Sequence, residues 1–500
     1  MTDQPREQPT RLPVRIWLWL AGAALVSAAA YLIASAWVYR LGFPLDDAWI
    51  HLTYARNLYQ YGEWSFIPGR VSAGSTSPLW TLLLSPGFLL GEPPYAWVYF
   101  LGIAGLSGVA VLGQMLFRRA APKTVLWGVP VMGLFLALEW HLVWAAVSGM
   151  ETILYAAVIL LEFALLAVER PKWWVCGLVA GLIVWIRPDG VTLLGPLGLV
   201  LLLTQQPMRR KLLSATQAAG SFLAGAIPYL GFNWLLSGTL LPNTFFAKQA
   251  EYAALLQIPF LERFLSLISL PMIGAGVLLL PGVCYSAYAA IRYRRWVWLS
   301  MVLWWAGYAL VYVMRLPVTY QHGRYLIPSM PVYFVLGFIG AAWLLNVQRG
   351  GNSRGAFILR NAWAAGLAAL LIVFWVRGAV AYASDVAIIE SEMVQTAHWL
   401  AGEIPADTAV AVHDIGAVGY YTRLDLVDLA GLVSPEVISF IRDEERLAGY
   451  LDERQVQYLV TFPDWYPRLM KNCEEVYSTG GDYGPAASGE NMTVCRWQPQ

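Results

Sequence analysis

Long apolar runs recur along most of the chain and are separated by short polar, often basic, segments. A helix needs about 20 apolar residues to cross the hydrocarbon core of a bilayer. Eleven runs approach that length: roughly 16–38, 96–117, 124–142, 150–168, 173–187, 190–204, 213–236, 266–290, 297–314, 328–346 and 357–378. The fifth and sixth are short and meet at Arg187-Pro188-Asp189-Gly190, where Pro and Gly mark a break. The run Ser77–Leu90 is shorter still and contains Pro78 and Pro86, so it predicts a re-entrant or interfacial helix. With it, residues from about 40 to 95 form one long loop, and long loops in compact proteins are usually functional.

The pattern changes near Asp385. Charge rises, and strand-like runs (Thr408–His413, Leu424–Leu429, Gln457–Phe462) alternate with helix-like ones (Met393–Glu403, Pro435–Asp443, Glu445–Arg454). This predicts a small α/β domain over 385–500, following a transmembrane domain over 1–384. Gly416 and Gly419 fit a turn and helix start, but their spacing does not match a dinucleotide-binding fingerprint. The fold class expected is a mainly α polytopic membrane protein of about 11 helices with a C-terminal α/β domain.

Composition agrees. Of 500 residues, 58% are hydrophobic and 13% charged, against about 25% charged in soluble domains. A net charge of +1 argues against a nucleic-acid partner. The 24 Trp suit a bilayer, since indoles favour span ends. Arg6, Arg11 and Arg15 precede a first run too long for a cleaved signal core, so that run is expected to remain as a span.

Basic residues orient the spans. With the N-terminus cytoplasmic, inside segments hold Arg6, Arg11 and Arg15; Arg118, Arg119 and Lys123; Arg170 and Lys172; Arg209, Arg210 and Lys211; Arg292, Arg294 and Arg295; and Arg349, Arg354 and Arg360. These are 17 of 33 basic residues, against nine spread over longer outside loops. A multi-pass plasma-membrane protein is expected, with its C-terminal domain extracytoplasmic. In that compartment Cys473 and Cys495 are expected to pair as a disulfide.

The outside loops carry the candidate chemistry. Asp46 and Asp47 lie just past the first span. If a helix starts at Ala48, Asp47, His51, Tyr54 and Leu58 share one face, and Asp46 sits where Asp is a favoured cap. A general base is the other role open to the pair, since burial beside a second acid raises a carboxyl pKa. Arg56 follows, then a hydroxyl-rich turn with Ser75 and Thr76, which suits sugar hydroxyls or phosphate as well as an ordinary loop. Glu151 begins the fourth span, where the helix dipole favours an acid. Arg187 sits beside Asp189, its natural ion-pair partner. Asn243 and Lys248 follow the seventh span, with Lys248 placed to snorkel to headgroups or to neutralise a phosphate. His322, Arg324 and Tyr325 precede the tenth, and Arg324 suits a bidentate phosphate contact. Asp414 and Asp428 lie at strand ends, positions that bind ligands in α/β folds and that also cap turns.

In this order the motifs resemble the GT-C superfamily of integral-membrane glycosyltransferases, in the group of bacterial terminal arabinofuranosyltransferases, aminoarabinose transferases and protein O-mannosyltransferases. The resemblance is carried by Asp46-Asp47-Ala48 with Tyr54–Leu58, Ser75–Leu82, Ser148–Thr152, Arg187–Gly190, Pro242–Lys248, Gly323–Pro331, Asp414–Tyr421 and Asp428–Leu432. It implies a polyprenyl-phosphate sugar as donor, a glycan or lipid-linked acceptor at the outer leaflet, and inversion at the anomeric carbon. Asp46 is the first choice for the base and Asp47 the second. It implies no required cofactor, although adjacent acids leave room for a divalent metal. A transporter or flippase of a lipid-linked sugar and a non-catalytic glycan-binding assembly protein are the other classes. The first is weakened by spans nearly free of charge.

Overall fold

The structure is a computed structural model and describes residues 12–122, 129–347 and 354–499. Arg6, Arg11, Lys123, Arg349 and the start of the third expected span lie outside the described residues. Among those described, six helices are long and apolar enough to cross a membrane: Val14–Val38, Tyr95–Ala120, Ala275–Arg292, Trp296–Arg315, Tyr320–Leu344 and Phe357–Glu403. Pro78–Leu89, Thr152–Leu166, Trp173–Trp185 and Pro188–Leu203 are apolar but shorter. Met208–Ser237 is long and opens on the basic run Arg209-Arg210-Lys211. The chain is a multi-pass membrane protein whose helices pack at glycines. A Cβ on Gly177 would lie 2.1 Å from the Ala218 carbonyl oxygen, and one on Gly282 would lie 2.0 Å from that of Gly337. Small residues let backbones approach where lipid offers no hydrophobic drive.

Three expected spans differ from their outline. The third breaks at Glu139, which is extended between helices Val131–Leu138 and Trp140–Ala146. Its buried carboxylate accepts from Leu142 N (3.2 Å) and meets His141 Nδ1 (2.9 Å), so an acid caps the second half. The eighth is interrupted at Pro271 and at Gly274, whose φ of 95° ends one segment before Leu280–Arg292 begins. The eleventh does not stop at 378. It runs through the expected domain boundary at 385 to Glu403, with one π-helical turn at Glu390–Val394. These 47 residues make a rod of ~70 Å at 1.5 Å per residue, tying the bundle to the C-terminal domain.

The first long loop is ordered. Helix Asp47–Tyr61 ends at Gly62, whose φ of 69° suits glycine. A hairpin of β1 (Ser65–Ile67) and β2 (Arg70–Val71) follows. Asn57 Nδ2 donates to the carbonyls of Ser65 (3.0 Å) and Phe66 (2.9 Å) and fixes the hairpin to the helix. Helix Pro78–Leu84 continues as a 3₁₀ turn, Ser85–Leu89, in place of a span.

The C-terminal domain holds a five-stranded sheet: β3 (Ala409–Val412), β4 (Asp425–Asp428), β5 (Tyr458–Thr461), β6 (Cys473–Ser478) and β7 (Thr493–Trp497), in the order β4-β3-β5-β7-β6. β3 is parallel to β4 and β5, and β7 is antiparallel to β5 and β6. The first three strands match the expected runs. β6 and β7 were not among the expected runs; Glu474 and Glu475 make β6 a polar edge strand, and β7 is five residues that include Arg496. The Cys473–Cys495 disulfide joins these two strands.

Candidate active site

Residues just beyond the C-terminal ends of β3, β4 and β5 face the end of the helical bundle across a cavity of about 630 Å³. They include His413 and Asp414 after β3, Ala430 and Leu432 after β4, and Phe462, Asp464 and Trp465 after β5. A second cavity of about 330 Å³ lies on the bundle side, among helix Asp47–Tyr61, the Arg187–Thr192 turn, helix Asn243–Glu251 and the Arg315–Tyr325 segment. Asp47, Ile50, Lys248, Arg324 and Leu432 line both.

Asp47 opens its helix and forms an ion pair with Arg324. Burial pushes the Asp47 carboxyl up, but Arg324 and Lys248 outweigh it and hold the group below the usual carboxylate range. Arg324 is 7% exposed and also donates to Tyr325 OH (3.1 Å). It follows three residues of positive φ: Gln321 (52°), His322 (58°) and Gly323 (67°). Such backbone is costly for non-glycine residues and persists where surroundings enforce it. Here His322 Nε2 meets Asp385 Oδ2 at 2.7 Å, and Trp144 Nε1 donates to the same oxygen at 2.9 Å. Lys248 Nζ lies 3.4 Å from Glu251 Oε2. Burial alone would lower the Lys248 pKa, but Glu251 and Asp47 raise it above its ordinary value, so the ammonium stays charged.

Around the smaller cavity, Arg187 contacts Glu151 (3.3 Å), Asp189 (3.1 Å) and Tyr312 OH (2.9 Å). Glu151 stands at the N-terminus of its helix, as expected, but its side chain makes no capping hydrogen bond there. His51 Nδ1 meets Ser75 Oγ at 3.1 Å, and burial lowers the His51 pKa despite Glu151 nearby. Arg315 lies over the Phe245 ring and has no ion-pair partner among the described residues. Beside these groups the wall is apolar, with Val191, Leu241, Phe245, Val311 and Leu316. Val191 and Val311 are exposed on the outer surface.

Asp46 has a different place from the one its sequence position suggests. It makes no side-chain cap on its own helix. Its Oδ2 accepts from Gly416 N (2.6 Å) and its Oδ1 from Ala417 N (2.8 Å), so it caps helix Ile415–Tyr421 of the C-terminal domain. Burial and the neighbouring Asp414 push the Asp46 carboxyl up to about 8, against the pull of those two N–H groups. With both oxygens engaged, the first choice for a base is the less available of the pair.

Of the other expected site residues, His51, Thr76, Glu151, Arg187 and Tyr325 line the smaller cavity and Asp414 the larger. Several do not line either cavity and instead support its walls. The Tyr54 hydroxyl meets Ser72 Oγ (2.5 Å) and accepts from Gly74 N (2.8 Å). Arg56 donates to the Tyr420 carbonyl, and Ser75 also meets Thr81 Oγ1 (2.9 Å). Asn243 Nδ2 donates to the Leu432 carbonyl at 3.5 Å, and His322 is turned to Asp385. Asp428 accepts from Ala430 N (2.8 Å) and Val433 N (2.7 Å), so it shapes its own turn.

The sequence reading missed Glu251, which meets Lys248, His413 Nε2 (3.3 Å) and Arg442 (3.9 Å) and so joins the bundle to the C-terminal domain. Its i,i+3 spacing from Lys248 was the available signal. Among the described residues, no three His, Cys, Asp or Glu side chains converge to hold a metal ion.

A family described as "Domain of unknown function (DUF8728)" matches residues 385–494. No curated protein matches the chain in sequence. Solved structures match its fold over nearly its whole length. ArnT from Cupriavidus metallidurans bound to undecaprenyl phosphate is 15% identical with a TM-score of 0.58, over 96% of this chain and 98% of that one. The Archaeoglobus fulgidus oligosaccharyltransferase in its apo form is 12% identical with a TM-score of 0.61, over 89% of this chain and 70% of that one. The archaeal oligosaccharyltransferase AglB from Archaeoglobus fulgidus, in complex with an inhibitory peptide and a dolichol-phosphate, is 12% identical with a TM-score of 0.51, over 91% of this chain and 70% of that one. The chain therefore shares the fold of these structures, the fold class that its motifs suggested.

Proposed function

We propose that this protein transfers a sugar from a polyprenyl-phosphate donor to an acceptor hydroxyl, with Asp47 as general base. The observation that carries the reading is the junction. Asp47, Lys248 and Arg324 line both cavities, so two substrates can meet at one carboxylate and two cations. The smaller cavity suits the donor head: Lys248, Arg324 and Arg315 complement a phosphate, and the apolar wall past Val191 and Val311 suits a prenyl chain. Polyprenyl phosphates occupy the ArnT and AglB structures that share this fold. The larger cavity then admits the acceptor.

In the step, the acceptor oxygen attacks the anomeric carbon and its proton passes to an Asp47 oxygen. The bond from the anomeric carbon to the phosphate oxygen breaks, and its electron pair leaves on the polyprenyl phosphate. Attack opposite the leaving group inverts the centre. Lys248 and Arg324 stabilise the charge that develops on the phosphate, so this reading requires no metal. The Arg324–Asp47 pair gives it a trigger. A donor phosphate competes for Arg324, weakens its hold on Asp47, and lets the carboxyl pKa rise toward a value better suited to taking a proton. The flanking basic residues favour placing this chemistry on the outer face of the plasma membrane.

The test uses full-length protein in nanodiscs. Native mass spectrometry is expected to find bound undecaprenyl phosphate, lost in the Lys248→Gln/Arg324→Gln double variant. A panel of labelled polyprenyl-phosphate sugars is expected to include one that yields free polyprenyl phosphate and a labelled glycan. Absence of both lipid binding and transfer refutes the reading.

A further inference from the structure

Asp414 lies two residues past the end of β3 and occupies the N-cap position of helix Ile415–Tyr421. An Asp there ordinarily accepts from the backbone N–H two or three residues on. Asp414 makes no such bond. The two N–H groups in question, on Gly416 and Ala417, are taken by Asp46, which reaches in from the first long loop. Gly416 permits that approach. A Cβ on it would lie 2.1 Å from the Asp46 carbonyl oxygen and 2.6 Å from Oδ2. The exchange of caps has a consequence. Asp414, a wall residue of the larger cavity, has no hydrogen-bond or ion-pair partner among the described residues.

The same cavity continues outward. Glu251, Tyr252, Tyr320 and Arg442 line both it and an open groove of about 890 Å³ running past Ile438–Asp443. The Tyr252 and Tyr320 rings stand edge to face at 5.6 Å where the two meet. Trp465 adds a third, 43% exposed ring on the cavity wall. Aromatic faces beside carboxylates suit the C–H faces and hydroxyls of sugars. Glu251, Arg442 and Asp443 give the groove polar partners beside its rings, and Asp414 and Asp464 give the cavity carboxylates that can accept from hydroxyls.

We propose that the Asp414 carboxylate, freed from capping its helix by Asp46, accepts a hydrogen bond from a hydroxyl of a neutral saccharide chain lying along the groove. Asp414 is thus an acceptor-binding residue, and Asp46 a positioning residue that acts through it. The inference rests on the transferase reading for the reaction it serves. The saccharide site itself is testable apart from that reaction.

Two measurements on the full-length protein in nanodiscs separate the two. In the transfer assay, Asp414→Asn is expected to raise the acceptor KM about tenfold or more, the effect of losing one charge-assisted hydrogen bond, with the donor KM unchanged. Gly416→Ala is expected to displace Asp46 and let Asp414 cap its own helix, giving the same acceptor defect in a folded protein. In saturation-transfer NMR, neutral oligosaccharides released from the source cell envelope are the probe. Their signal is expected in the wild type and is expected to be lost in Asp414→Asn. An unchanged acceptor KM in Asp414→Asn, a defect confined to the donor KM, or binding of peptides in place of saccharides overturns the proposal. Saccharide binding that depends on Asp414 in a protein with no transfer refutes the transferase reading alone.

Discussion

Replacing Asp47 by Asn tests the proposed base through the directions in which two constants move. The substitution preserves shape and removes the charge that faces Arg324. Arg324 has a side chain only 9% exposed, and in the unliganded protein Asp47 is its anionic partner. The variant therefore leaves a nearly buried guanidinium uncompensated until a donor phosphate arrives. Because Asp47 is itself 24% exposed, water screens part of the pair, and a cost of ~1–2 kcal/mol is the appropriate scale. Phosphate binding recovers that cost, so the donor KM is expected to fall by up to ~30-fold. The chemical step loses its proton acceptor, and kcat is expected to fall by ~10²–10⁴-fold. A merely structural ion pair predicts a lower melting temperature with kcat retained in the surviving protein. A phosphate-repelling role for Asp47 predicts a lower KM with normal kcat. Steady-state transfer in nanodiscs, with the donor varied at saturating acceptor, distinguishes these outcomes. A kcat within threefold of wild type, or a donor KM raised tenfold, refutes the assignment.

The wild-type pH profile tests the same residue. In the free protein, Arg324 and Lys248 hold the Asp47 carboxyl below its ordinary range. A bound phosphate offsets those cations and raises that pKa. The acid limb of kcat, which reports the complex, is therefore expected at higher pH than the acid limb of kcat/KM, which reports the free protein. Coincident limbs contradict the trigger.

Lys248→Gln is expected to raise the donor KM roughly tenfold to a hundredfold, the scale of one charge-assisted contact of ~1.5–3 kcal/mol, in the same donor titration. Docking of the Asp46-capped helix is expected to weaken in alkali. Burial and Asp414 raise the Asp46 carboxyl to about 8, so the stabilisation its proton gives is complete below the ordinary carboxylate range and lost as pH rises through about 8. Hydrogen exchange at the Ile415–Tyr421 amides, corrected for intrinsic rate, is expected to accelerate above pH 8 in wild type and to be flatter with pH in Asp46→Asn; equal protection at pH 6 and pH 9 in the wild type counts against it. Cys473→Ser opens a disulfide spanning 22 residues and is expected to cost ~3 kcal/mol, read as earlier thermal unfolding of the C-terminal domain.

Hydrophobic periodicity placed the helical segments well because lipid-facing runs carry their signal locally. It failed where a buried polar group or a glycine interrupts a run, as at Glu139 and Gly274, since the partner that makes the break favourable is invisible in the run itself. Around the smaller cavity, Asp47, Lys248 and Arg324 stood out because each is an ionisable residue in a loop that joins two expected spans. The acceptor side was less legible. Its walls follow three strands that are far apart in sequence and adjacent only in the sheet, and Trp465 carries no local mark of that convergence.

Asp46 and Asp47 show where such reading ends. They are chemically identical neighbours, and no pattern within the first loop ranks one above the other. Their fates are decided by groups 370 and 277 residues away: the Gly416 amide for Asp46, the Arg324 guanidinium for Asp47. The helix start turns the two side chains apart, one toward the backbone of the docked domain and one toward the junction of the cavities. Two backbone amides do not offset the burial of Asp46 beside Asp414, so its carboxyl pKa rises, whereas two cations more than offset the burial of Asp47, so its pKa falls. The availability of a base here is thus a tertiary property. It also ties the domains together in function, because the carboxylate that does not face the junction is the one that frees Asp414 to complete the larger cavity.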